Sequence, residues 1–104
     1  MNEYDRFDQR CPSLSSYLAG VFYDGDGTDE ELAREMWEPG SHTRNSRLAA
    51  ERLVGECRDA LKNIENWWKP IAHRAGKEFS GPEEARRWLE AMTAIWEESL
   101  KPAE

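Results

Sequence analysis

The sequence predicts an all-α fold, a compact bundle of four to five helices with no sheet, and three observations predict it. Apolar residues recur at spacings of three and four over separate stretches, which lines one face of a helix. No stretch alternates apolar and polar residues with the β-branched enrichment of a half-buried strand. At 104 residues, 38% hydrophobic, with five tryptophans, three phenylalanines and three tyrosines, the chain has material for one thin aromatic core. Residues 1–104 therefore read as a single helical domain.

Residues 1–11 alternate charge with isolated aromatics, Tyr4 and Phe7, and are expected to form an irregular lead-in. Ser13 is placed to cap a helix whose apolar positions Leu14, Tyr17, Leu18, Val21 and Phe22 share a face, ending near Tyr23. Asp24-Gly25-Asp26-Gly27 is turn chemistry, and Thr28 with Glu31 forms a capping box for a short helix carrying Leu32, Met36 and Trp37. Pro39-Gly40 stops that helix, and residues 41–45 form a polar loop.

The strongest periodicity runs from Arg44 to Trp68, where Ala50, Leu53, Val54, Cys57, Ala60, Leu61, Ile64 and Trp68 fall on one stripe. Cys57 reads as a core residue. Trp67-Trp68-Lys69-Pro70 marks a kink or a new start, because proline restricts the residue before it and suits a first turn. A short helix from Pro70 then ends at Gly76. Ser80-Gly81-Pro82-Glu83 is a second capping box, and the last helix follows to about Leu100, with its stripe on Ala85, Trp88, Leu89, Met92, Ile95 and Trp96.

Charge is distributed unevenly. The first 43 residues hold ten acidic side chains against Arg6, Arg10 and Arg34, whereas the remainder is balanced, so the net charge of −7 resides in the first part. An acidic surface repels nucleic-acid phosphate and anionic lipid and attracts cationic partners, so a basic protein is the expected partner, with neither nucleic acid nor membrane. Arg47, Arg52, Arg58 and Lys62 do share a long helix, but Glu51, Glu56, Asp59 and Glu65 interleave with them, which suits solvated pairing rather than phosphate. No run of about 18 apolar residues exists and the charged N-terminus lacks the apolar stretch of a signal peptide, which predicts a cytoplasmic protein.

No motif predicts an enzyme or a cofactor. Asp24 and Asp26 sit in a glycine-rich exposed turn, where neither gains the desolvation that general acid-base work requires. Asp24, Asp26, Thr28 and Glu35 match positions one, three, five and twelve of a calcium loop, but Asp29 stands where that loop needs glycine. His42 and His73 have no second ligand at metal spacing, and Cys11 and Cys57 are too few for a zinc site or a disulfide framework.

Pro12-Ser13-Leu14, Tyr17-Leu18 and Val21-Phe22-Tyr23-Asp24, followed by a short acidic helix, resemble the opening of bacterial contact-dependent growth inhibition immunity proteins. The turn before Pro82-Glu83-Glu84-Ala85-Arg86-Arg87-Trp88-Leu89 is similar to that family's entry into its closing helix, although Gly25 stands where members commonly carry a bulky residue. The resemblance implies a stoichiometric inhibitor that binds and neutralises the C-terminal domain of a cognate toxin. Many such toxins are nucleases, whose clefts must be basic to hold phosphate, and an acidic helix pair can occupy such a cleft. The expected contacts are Asp24, Asp26, Asp29, Glu30, Glu31, Glu35 and Glu38, with Tyr23 and Trp37 as aromatic anchors, although Trp37 could equally pack between helices. A non-enzymatic helical adaptor or regulatory module is the alternative reading.

Overall fold

Six helices and no strand make up the described part of the chain, residues 2–23, 27–36 and 43–101 of a computed structural model. They are α1 (Glu3–Arg10), α2 (Pro12–Tyr17), α3 (Asp29–Met36), α4 (Arg44–Lys62), α5 (Ile64–Ala75) and α6 (Pro82–Ser99), and a π-helical turn, Leu18–Phe22, runs on from α2. None of these helices is long and apolar enough to cross a membrane. The turn 24–26, the segment 37–42 with its Pro39-Gly40 stop, and the chain ends lie outside the described residues.

α6 is the centre of the bundle, in contact with α3, α4 and α5. Its periodic stripe explains this position: Ala85, Leu89, Met92 and Trp96 are all buried. Trp96 is completely enclosed, stands 6.1 Å from the Phe22 ring, and directs its indole N–H to Met36 Sδ at 3.2 Å. One cluster of buried residues joins Phe7, Leu14, Leu18, Leu53, Cys57, Ile71 and α6, so every helix contributes to the same core or packs on it. Both thiols are inside it. Burial, together with Glu56 and Asp59 nearby, pushes Cys11 up to about 12, and burial pushes Cys57 likewise up to about 12.

The expected irregular lead-in is instead a helix. Asn2 caps it by accepting the Asp5 amide at 2.9 Å, and Phe7 is fully buried against Trp67, with ring centroids 5.9 Å apart. Two ion pairs fasten its polar side. Asp59 of α4 accepts two bonds from Arg10, at 2.7 and 3.0 Å, and Asp8 accepts Arg74 of α5 in a fork as well as the Ser15 hydroxyl of α2. Both charges and the apolar anchor find partners about 50 to 65 residues away, which is why local periodicity missed the helix.

These ion pairs set an acid limb. Partial burial alone would raise Asp8, but hydrogen bonds from Ser15 and Arg74 and the Arg74 charge outweigh it, so its carboxyl lies below the ordinary 3.8. The bonds from Arg10 lower Asp59 in the same way. A depressed carboxyl contributes stability that is fully present above its unfolded value and is lost as pH falls through its folded value. The folded state is therefore expected to lose stability below about pH 4, and Asp8→Asn to flatten that decline, as read from urea midpoints between pH 2 and 7.

Three boundaries also differ from expectation for physical reasons. α2 begins at Pro12, not after a Ser13 cap, because its open first-turn amide at Leu14 is satisfied from another helix, by Glu56 Oε1 of α4 at 3.0 Å. The long stripe breaks at Asn63 rather than at Trp67-Pro70: Asn63 ends α4, and its carbonyl accepts the amides of Asn66 and Trp67 to begin α5. Pro70 then lies inside α5, where only the bond from position 70 to the Asn66 carbonyl is forfeited. Before α6, Gly81 takes the capping position with an extended backbone and no side chain caps the helix, so the expected box does not form; Glu84 instead accepts the Ser80 amide at 2.9 Å and its hydroxyl at 2.7 Å.

Candidate functional site

α3 begins where the sequence places it. The Thr28 hydroxyl accepts the Glu31 amide at 3.2 Å, and Glu31 Oε2 reaches back toward the Thr28 amide at 3.4 Å. Gly27 makes room for that carboxylate: at φ 110° it lies in the left-handed region, and a Cβ there would stand 2.9 Å from Glu31 Oε2.

Eight residues then divide cleanly between two faces. Ala33 is buried and Asp29, Leu32 and Met36 are half-buried toward the bundle, whereas Glu30, Glu31, Arg34 and Glu35 are exposed. The solvent face thus carries three carboxylates and one guanidinium. Arg34 meets Glu30 only at 3.8 Å with both side chains exposed, a pair that binds weakly, and Glu35 forms no ion pair with a described residue.

Asp29 does something different from its acidic neighbours. Its Oδ1 lies 2.5 Å from Lys77 Nζ, and its Oδ2 accepts the Trp88 indole N–H at 2.9 Å. Lys77 is aimed there by the end of α5. Gly76 takes the left-handed conformation at φ 67°, and the Lys77 amide returns to the Ala72 carbonyl at 2.8 Å, the bond that closes a Schellman turn. Trp88 in turn meets the Phe22 ring edge-on at 5.1 Å and Phe79 at 5.8 Å. Asp29 therefore joins the start of α3 to α6 and to the turn after α5. Asp29→Ala would strand a half-buried ammonium and an indole donor, and is expected to cost about 1–3 kcal/mol of stability, measurable by thermal melting.

Tyr23 follows the π-helical turn, within which Leu18 and Phe22 are both buried in the core. Its ring is 60% exposed, the most exposed large apolar side chain described, yet it rests on Gly76: a Cβ at position 76 would lie 3.1 Å from Tyr23 Cδ2. The contact holds one edge of the ring and leaves the remainder in solvent, an arrangement suited to an anchor.

Of the expected contact residues, the structure places Tyr23, Glu30, Glu31 and Glu35 on the surface and engages Asp29 within the fold. Asp24, Asp26, Trp37 and Glu38 lie outside the described residues. The clamp of Lys77 and Trp88 on Asp29 was not foreseen, since the partners are 48 and 59 residues away and no local pattern joins them. Comparison with known proteins yields no matching family model, no matching curated protein and no matching solved structure.

Proposed function

We propose that this chain is an immunity protein that acts in the cytoplasm of a bacterium by binding a basic toxin domain, with the chemistry of a nuclease, and neutralising it without catalysis of its own. The observation that carries this reading is the solvent face of α3, where Glu30, Glu31 and Glu35 stand against Arg34 alone. A cleft shaped to hold phosphate presents the cations such a face would meet, and the charge of residues 1–43 would steer the encounter. Tyr23 supplies apolar area on the same half of the chain. The resemblance of Pro12 to Asp24 and of Pro82 to Leu89 to the contact-dependent immunity family supplies the biological setting.

The test is to purify the C-terminal domain encoded immediately upstream, mix it with this chain and follow the pair on a sizing column and in stopped flow. A one-to-one complex is expected, with an association rate that falls steeply between about 10 and 500 mM salt. Absence of a complex would set the reading aside, and a complex whose association rate ignores salt would move the contact away from α3.

A further inference from the structure

α3 is fastened to α6 at both ends by indole donors. At its start Asp29 accepts the Trp88 N–H at 2.9 Å, and at its last residue Met36 Sδ accepts the Trp96 N–H at 3.2 Å. The two bonds differ in kind. The carboxylate is a strong acceptor and holds Lys77 besides, whereas a thioether sulfur is a weak acceptor, polarizable and open to oxidation. Trp96 is completely enclosed, so its N–H has the sulfur for a partner rather than water, while Met36 itself is half-buried. The other described methionine, Met92, is only 2% exposed and lies within the core. Of the two, Met36 is the one that offers surface to a small oxidant. Between the two fastened ends, α3 is seated by Ala33 and the half-buried Leu32, on a helix of eight residues. Few contacts remain to hold it when one end is altered.

We propose that Met36 is a reversible oxidation site, at which hydrogen peroxide converts the thioether to a sulfoxide and loosens α3 from α6. A sulfur lone pair attacks one peroxide oxygen as the O–O bond breaks. The departing hydroxide takes the proton from the oxygen now on sulfur and leaves as water, so sulfur gives up two electrons and the peroxide gains them. The product carries a strongly polar group where the helix presented a flexible apolar one. That new oxygen requires a donor, and the donor already there is the Trp96 N–H. A separation of 3.2 Å between sulfur and indole nitrogen leaves too little room for an oxygen between them, so Met36 must move outward, and the end of α3 with it. The reverse step oxidises two thiols to a disulfide and releases the oxygen as water. The site stands whether or not the solvent face of α3 binds a toxin.

Graded treatment of the full chain with hydrogen peroxide, followed by peptide mass mapping and thermal melting, tests this. One added oxygen is expected on Met36 about tenfold sooner than on Met92, and the chain oxidised there is expected to melt about 4–8 °C lower. Methionine sulfoxide reductases with dithiothreitol are expected to remove that oxygen and restore the melting temperature. Met36→Leu keeps Met1, Met92, Cys11 and Cys57, so peroxide is expected to leave its melting temperature unchanged. Should that variant fail to fold, reversal by the reductases carries the same assignment in the parent chain. Oxidation of Met92 as fast as Met36, oxidation of Met36 with no change in melting, or a peroxide effect that persists in Met36→Leu or after the reductases have acted overturns the proposal.

Discussion

Glu30→Lys combined with Glu35→Lys is expected to weaken binding to the toxin domain by about 3 kcal/mol, on the order of a hundredfold, while the protein melts as the parent does. Both side chains are exposed on the solvent face of α3, and neither holds the fold: Glu30 meets only Arg34, at 3.8 Å, and Glu35 has no ion pair with a described residue. Reversal would turn attraction to a basic cleft into repulsion at two exposed positions of α3, and most of the loss should appear in the association rate at low salt. Calorimetry at two salt concentrations reads both. Asp29 is the wrong residue for this experiment, because its carboxylate is committed to Lys77 and Trp88 and its loss would be felt as instability. A double reversal on the exposed turn of α6, Glu83→Lys with Glu90→Lys, changes net charge equally and separates a local effect from a general one.

Phe7→Ala is the second large effect expected, a loss of about 3–5 kcal/mol of stability from a fully enclosed ring. Single domains have only about 5–15 kcal/mol in total, so the variant should melt some 15–30 °C lower or fail to fold. The ring fills the space between α1 and Trp67, and its removal also loosens the helix that carries the Asp8–Arg74 and Arg10–Asp59 pairs. Were residues 1–10 a peripheral extension, Phe7→Ala would change the melting temperature by only a few degrees. Thermal melting by circular dichroism decides between the two.

The contrast between α3 and α1 marks what was legible in the sequence. The start of α3 was readable because all that determines it lies within five residues: Gly27 for the left-handed turn, Thr28 to cap, Glu31 to close the box. The stripes of α4 and α6 were readable because each has enough buried turns to repeat its period. α1 was not, since its one buried residue, Phe7, defines no period and gains its meaning from Trp67. The start of α2 was misplaced for a related reason: the cap comes from Glu56 of another helix, and Ser15, one of three serines nearby, bonds to Asp8 instead.

The same limit applied to the candidate site. Which carboxylates of α3 face solvent follows from a period of 3.6, and Glu30, Glu31 and Glu35 could be named from that alone. Asp29 could not be set apart from them, because what removes it from solvent is a lysine placed by the left-handed Gly76 and a tryptophan of α6, both far along the chain.

Co-expression tests the central claim most directly: the C-terminal domain of the upstream reading frame is induced in a sensitive cell alone, with this chain, and with the Glu30→Lys, Glu35→Lys chain, and surviving colonies are counted. Killing by the domain alone, rescue by the parent chain and loss of rescue by the double variant are the expected results. Killing that the parent chain does not relieve, or full rescue by the double variant, would contradict an inhibitor that works through the acidic face of α3.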